Sequence, residues 1–149
     1  MDKMIRPAFS KVLQWTFHAR AKMRFYRLSE QRVKNVLHSP KRVEDGVAPK
    51  TVAMMQPVLV KTIAVLTKTV PAKAGTPSHS AQSRNNVGRQ ETWTQEIWVM
   101  IENKRHETRG KRQEVTKIIS AWRYPGMTKP RSEITQKLMK QAYNEYLKT

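Results

Sequence analysis

The sequence predicts an α+β fold: an N-terminal αα-hairpin packed on a small, mainly antiparallel sheet of about four strands, followed by a C-terminal helix. Three observations carry this. Apolar residues recur at helical spacing before Pro40, with a capping signal between two such runs. Residues 95–101 and 118–124 alternate with period two. A last run, 134–146, returns to fourth-residue spacing. Runs of helix followed by runs of strand suit an α+β layering.

The first helix is expected over Lys11 to Arg27, where Val12, Trp15, Ala19, Met23 and Tyr26 form one stripe. Arg20, Arg24 and Arg27 then share an exposed face, and His18 and Lys22, four apart, share a different one. Ser29 is placed to cap a second helix, with Glu30 at the positive end of its dipole. Leu28 and Val33 have the spacing of a hydrophobic staple. Val33, Val36 and Leu37 supply the buried face, and the helix stops before Pro40.

"RVEDGVAPKTVAMMQP" reads as two strands around a turn at Asp45-Gly46. In "ETWTQEIWVMIENK", Gln95, Ile97, Val99 and Ile101 face one way, and Glu96, Trp98 and Met100 the other. "QEVTKIISAWRYPG" sets Ile119, Ala121 and Arg123 against Ile118, Ser120, Trp122 and Tyr124. The polar "RHETRGK" between them reads as a hairpin loop. In the tail, a helix from Ser132 carries Ile134, Leu138, Ala142 and Tyr146 as a narrow stripe that docks on the domain or meets a partner.

Residues 58–91 read as a flexible insert, because "TVPAKAGTPSHSAQSRNNVGRQ" is rich in Pro, Gly, Ser and Asn and has no acidic residue. The expected organisation is one α+β domain over 1–126, interrupted by that insert, and a helical tail over 127–149.

Charge bounds the partner. Lys and Arg number 29 against 11 acids, for a formal net charge of +18. Such an excess calls for a polyanion, nucleic acid first. No apolar run reaches the length of a spanning helix, and "MDKMIRPAFSK" lacks a signal-peptide core, so a cytoplasmic protein with no membrane role is expected. The absence of cysteine excludes disulfides, thiolate nucleophiles and cysteine-ligated zinc. There is no Gly-rich phosphate loop, no His-Glu-x-x-His helix and no Gly-x-Ser-x-Gly turn, and His18, His38, His79 and His106 are scattered. No metal and no cofactor are expected.

What remains is RNA chemistry. Cleavage without a metal requires a base for the 2′-hydroxyl, an acid for the leaving oxygen and cations for the pentavalent phosphate. His18 suits acid or base, Lys22 and Arg123 the phosphate, and Tyr124 and Glu96 an orienting role. Arg20, Arg24, Arg27 and Lys117 suit nucleic-acid binding. Register opposes part of this set, since Arg123 and Tyr124 fall on opposite faces unless the strand bulges. Each residue also has an ordinary reading: His18 bonding backbone, Glu96 in an ion pair, Ser120 a buried satisfied hydroxyl, Trp98 and Trp122 core packing.

"HARAKMRFYRLSEQRVKNVLHSPKRV" resembles the opening of a domain-of-unknown-function family of bacterial toxin-like proteins, which reads H-A-x-x-R-M-x-x-R-x-[IL]-[ST]. "EIWVMI…TKIISAWRY" is similar to the paired strands of that family and to the "RIISAR" strand of BrnT toxins, relatives of RelE-type ribonucleases. His18, Ala19 and Met23 match by position. Lys22 replaces the family arginine, and Tyr26 stands where a second arginine is usual. The resemblance implies a RelE/BrnT-like fold, a metal-independent endoribonuclease acting on RNA, and an antitoxin-like protein partner. Read from the residues alone, a non-catalytic nucleic-acid-binding module stays open, as does a subunit that meets a protein through its C-terminal helix.

Overall fold

The computed structural model describes residues 12–66, 87–108 and 110–149. Its main sheet has five strands in the order β1-β7-β6-β3-β2. These are β1 (Val12–Trp15), β2 (Arg42–Asp45), β3 (Thr51–Val58), β6 (Gln95–Thr108) and β7 (Lys111–Pro125). All neighbours are antiparallel except β1, which runs parallel to β7. Helices α1 (Phe17–Tyr26) and α2 (Glu30–His38) cover one face, and α3 (Glu133–Leu147) covers the other. The fold is therefore α+β and mostly antiparallel, with five strands in the main sheet rather than about four.

Alternation along β6 divides the core. Ile97, Val99 and Ile101 pack under α1 and α2 with Ala19, Met23, Val33, Val36 and Leu37. Trp98 and Met100 pack under α3 with Met55, Trp122, Met139 and Ala142. Trp98 and Trp122, opposite each other on β6 and β7, lie with rings 5° from parallel and 6.0 Å between centroids. A sheet buried on both faces reads as apolar at successive positions, as "IWVMI" does.

The expected first helix begins late. Val12 to Trp15 form strand β1, and α1 starts only at Phe17. The three-residue step from Val12 to Trp15 fits a helix, but β7 offers an edge whose backbone groups need partners, and tertiary pairing outweighs local spacing. Ala19 and Met23 keep the buried side of the stripe. The second helix follows expectation: the Ser29 hydroxyl accepts from the Arg32 amide, Glu30 lies in the first turn, and the helix ends before Pro40.

Three other expectations change. Both ends of the 58–91 stretch are strands, β4 (Lys61–Leu66) and β5 (Val87–Thr92), paired as a separate two-stranded ribbon, while its centre, with His79, lies outside the described residues. This ribbon prolongs the β3–β6 pairing and is tied back by the Lys41–Glu91 ion pair. The "RHETRGK" loop is short, because ladder pairing continues to Thr108 opposite Lys111. On α3 the buried side chains are Thr135, Met139 and Ala142, with Leu138, Tyr143 and Tyr146 partly buried, whereas Ile134 is exposed. The tail helix is a layer of the fold.

The lead into α3 is latched by Glu96, which is fully buried. Its carboxyl oxygens accept from Trp93 Nε1 at 2.9 Å, Trp98 Nε1 at 3.1 Å, the Thr128 amide at 3.0 Å and the Thr128 hydroxyl at 2.6 Å. Arg42 holds the same Thr128 from the other side, donating to its carbonyl and its Oγ1, both at 2.9 Å. Ser132 then caps α3.

Candidate functional site

The site grows from the junction of β1, β7 and α1. Parallel pairing of β1 ends at Trp15 opposite Ile118. The next residue, Thr16, caps α1: its Oγ1 accepts from the Ala19 amide at 3.0 Å and donates to the Ile118 carbonyl at 2.7 Å. One hydroxyl thus sets where the helix starts and where it lies on β7. Here β7 also bulges: Met100 pairs with Ser120 but Ile101 with Ile118, leaving Ile119 as the extra residue. A bulge re-aims the side chains next to it, and here Ile118 packs with Ala121 on the α1–α2 side and Ile119 with Trp122 on the α3 side, the reverse of the faces expected from strict alternation.

With α1 fixed along the edge of β7, Ala19 and Met23 turn into the α2-side core. His18 and Lys22 lie one turn apart on the flank facing α3. His18 is only 5% exposed. Its Nε2 lies 3.3 Å from Ser120 Oγ and 4.0 Å from Glu145 Oε2. Lys22 Nζ is 2.9 Å from the same Glu145 oxygen. Three elements therefore bring together an imidazole, an ammonium, a hydroxyl and a carboxylate. The last three border a cleft lined by Lys22, Tyr26, Ser120, Trp122, Gln141 and Glu145, with His18 behind Ser120 and about 60 Å³ of room for solvent, enough for a few waters. The Trp122 indole N–H is buried and has no hydrogen-bond partner among the described residues.

Electrostatics follow from these positions. Burial, with Lys22 beside it, holds the His18 imidazole below its ordinary range, and Glu145 pulls the other way. His18 is therefore neutral at pH 7 and can give or take a proton. The hydrogen bond from Lys22 holds the Glu145 carboxyl below its ordinary range. The arrangement is not an acyl-transfer triad. Ser120 and Glu145 both approach Nε2, whereas a triad acid orients the base through the opposite ring nitrogen.

Of the residues singled out for catalysis, the structure brings His18 and Lys22 together and places the rest elsewhere. Glu96 lies four residues along β6 from Met100, the partner of Ser120, roughly 13 Å away at strand spacing. Its two oxygens are engaged by four donors, two from the Thr128 segment and two from the Trp93 and Trp98 indoles. Arg123 turns to the α1–α2 side, where Nε and Nη2 donate to the Tyr26 carbonyl, both at 3.4 Å, and Nη1 to Gln95 at 3.3 Å. It satisfies a carbonyl at the C-terminal end of α1, a favourable place for a cation. Tyr124 is on the opposite face, packed with the Trp98–Trp122 cluster. The bulge lies at Ile119, before Arg123, and so does not bring Arg123 and Tyr124 to one face.

The residues expected to bind nucleic acid are spread differently. Arg20 is exposed, bonded to Glu30 at 3.1 Å and stacked 5.7 Å over Trp15. Arg24 and Arg27 are exposed, with no carboxylate in ion-pair range among the described residues. Phe25, between them in sequence, is 76% exposed. Lys117 lies on the α3 side, its ammonium 5.0 Å over the Tyr146 ring, and its hydrogen bond to Tyr146 holds it above the ordinary lysine range.

Ser120, noted in the sequence beside the catalytic candidates but read as a buried hydroxyl, lines the cleft, and Tyr26, Trp122, Gln141 and Glu145 complete it without having been picked out for a role there. Gln141 and Glu145 share a face of α3, bonded at 3.3 Å, but their spacing does not say which element that face meets. No helix of the described residues is long and apolar enough to cross a membrane. No family model, curated protein or solved structure matches this chain.

Proposed function

We propose that this chain is an RNA-directed, nucleic-acid-binding protein that meets the sugar–phosphate backbone with the outer surface of α1. The observation that carries the reading is the free cationic surface there: Arg24 and Arg27 stand exposed and unpaired among the described residues, beside the exposed ring of Phe25. Arginine forks suit phosphate, and an exposed aromatic ring suits an unstacked base. A net charge of +18 supplies the long-range attraction. A toxin-like role with an antitoxin-like partner, suggested by the resemblance of the sequence around His18 to toxin-like proteins, belongs to the same proposal. Binding of a labelled single-stranded oligoribonucleotide, strong at low salt and lost steeply as salt rises, tests it. Equal binding across that salt range contradicts it.

A second reading, metal-independent endoribonuclease activity, is favoured by one specific cluster. His18 and Lys22 sit within reach of one another's partner, Glu145, with Ser120 on the imidazole. His18 then moves the proton and Lys22 neutralises phosphate charge. Cleavage of total RNA in the presence of a chelator, abolished in His18→Ala, tests this reading; intact RNA overturns it and leaves the binding function standing.

A further inference from the structure

We propose that the cleft between α1, β7 and α3 is a binding site for a single phosphodiester group, and that the Glu145 carboxylate competes with it for Lys22. The proposal rests on the nucleic-acid reading above and goes beyond it in naming a second, buried contact point.

The lining of the cleft is rich in hydrogen-bond donors. Lys22 carries an ammonium, Tyr26 and Ser120 hydroxyls and Gln141 an amide, and the lining residue Trp122 carries an indole N–H that is itself buried. Glu145 is the one charged acceptor among them, and it engages Lys22 and Gln141. It leaves the Trp122 N–H without a partner among the described residues, and a buried unpaired donor is destabilising. A phosphate carries more acceptor oxygens than a carboxylate and can serve Lys22 and a second donor together. The cleft's room, about 60 Å³, suits a few water-sized oxygens and is too small for a nucleobase. His18 favours the same ligand. Two acceptors, Ser120 Oγ and Glu145 Oε2, approach its Nε2, which favours a proton on that nitrogen and frees the Ser120 hydroxyl hydrogen for the cleft. Glu145 can leave without unseating α3, because its side chain is 36% exposed and the helix is anchored by Met139 and Ala142.

The experiment follows the Trp122 indole N–H and His18 ring signals of the full chain by NMR during titration with tetrauridylate, and separately with inorganic phosphate. Glu145→Gln should bind tetrauridylate about tenfold more tightly than the parent, the effect of removing one charge-assisted competitor. Glu133→Gln, the same charge change at the far end of α3, should stay within about twofold, as expected of screened surface charge. Ser120→Ala should weaken binding, and both signals should move on saturation. Equal tightening by Glu145→Gln and Glu133→Gln overturns the proposal. So does tetrauridylate binding that leaves the Trp122 signal unmoved, an outcome that spares the nucleic-acid reading. Movement with inorganic phosphate and none with tetrauridylate overturns the phosphodiester assignment in favour of a free-phosphate site. Absence of any tetrauridylate binding removes both readings.

Discussion

Thr16 and Ile118, 102 residues apart in sequence, are joined by a 2.7 Å hydrogen bond from the threonine hydroxyl to the isoleucine carbonyl. The same hydroxyl caps α1 through the Ala19 amide. The placement of His18 against Ser120 depends on this pairing, because the capped residue is two positions before the histidine. Thr16→Val keeps the shape and removes these bonds together with a longer one to the Ile119 carbonyl at 3.2 Å. It should lower unfolding stability by roughly 1–3 kcal/mol and shift the His18 ring signals, measured by denaturant titration and NMR. An unchanged His18 environment would mean that packing alone positions the helix.

Glu96 separates structural from catalytic importance. Glu96→Ala strips the acceptors from the Trp93 and Trp98 indoles and from the Thr128 amide and hydroxyl. The expected loss is about 3–5 kcal/mol, on the order of breaking a buried charged network, and it loosens the lead into α3. Oligonucleotide affinity of the fraction still folded, compared after correcting for stability, should match the parent. A selective loss of RNA affinity in a fully stable variant would return Glu96 to the site.

The pH dependence of stability has a defined sign. The folded-state pKa of His18 lies below the ordinary imidazole value of 6.5, so the unfolded chain takes up the proton first. The stability linked to His18 is present above pH 6.5 and declines as pH falls below it. Glu145, lowered from 4.5, adds a second decline that begins below that value. Denaturation midpoints recorded from pH 8 to 4 should therefore fall toward acid, and His18→Gln should flatten the part just below neutrality. Lys22→Met should raise the His18 pKa in an NMR titration, since it removes a like charge; a lower value would contradict the account.

The two-period made the faces of β6 and of Ser120 to Tyr124 on β7 legible in advance, whereas Ile118 and Ile119 were set on the wrong faces because the bulge interrupts the alternation, and the reason for the legible part is physical. Ile97, Val99 and Ile101 meet one helical layer and Trp98 and Met100 the other, so a slip of one residue would exchange two cores of different shape. The Ser29 cap and the stop before Pro40 were legible because capping is local. Strand β1 was not, since Val12 and Trp15 owe their conformation to Val115 and Ile118, about a hundred residues away. The candidate site divides the same way. His18 and Lys22 could be paired from helical spacing, whereas Glu145 joins them only through the docking of α3. Arg123 could be set on its own face from alternation, and it is on that face that it holds the Tyr26 carbonyl.

Contact between α1 and the sugar–phosphate chain is tested most directly by the salt dependence of binding with and without its free arginines. Fluorescence polarisation of a labelled single-stranded oligoribonucleotide, recorded across a salt series, gives the log–log slope for the parent and for Arg24→Glu/Arg27→Glu. Two lost phosphate contacts should flatten the slope by about 1.4 and weaken binding most at low salt. An unchanged slope and affinity would contradict the account and place nucleic-acid contact, if any, on another surface.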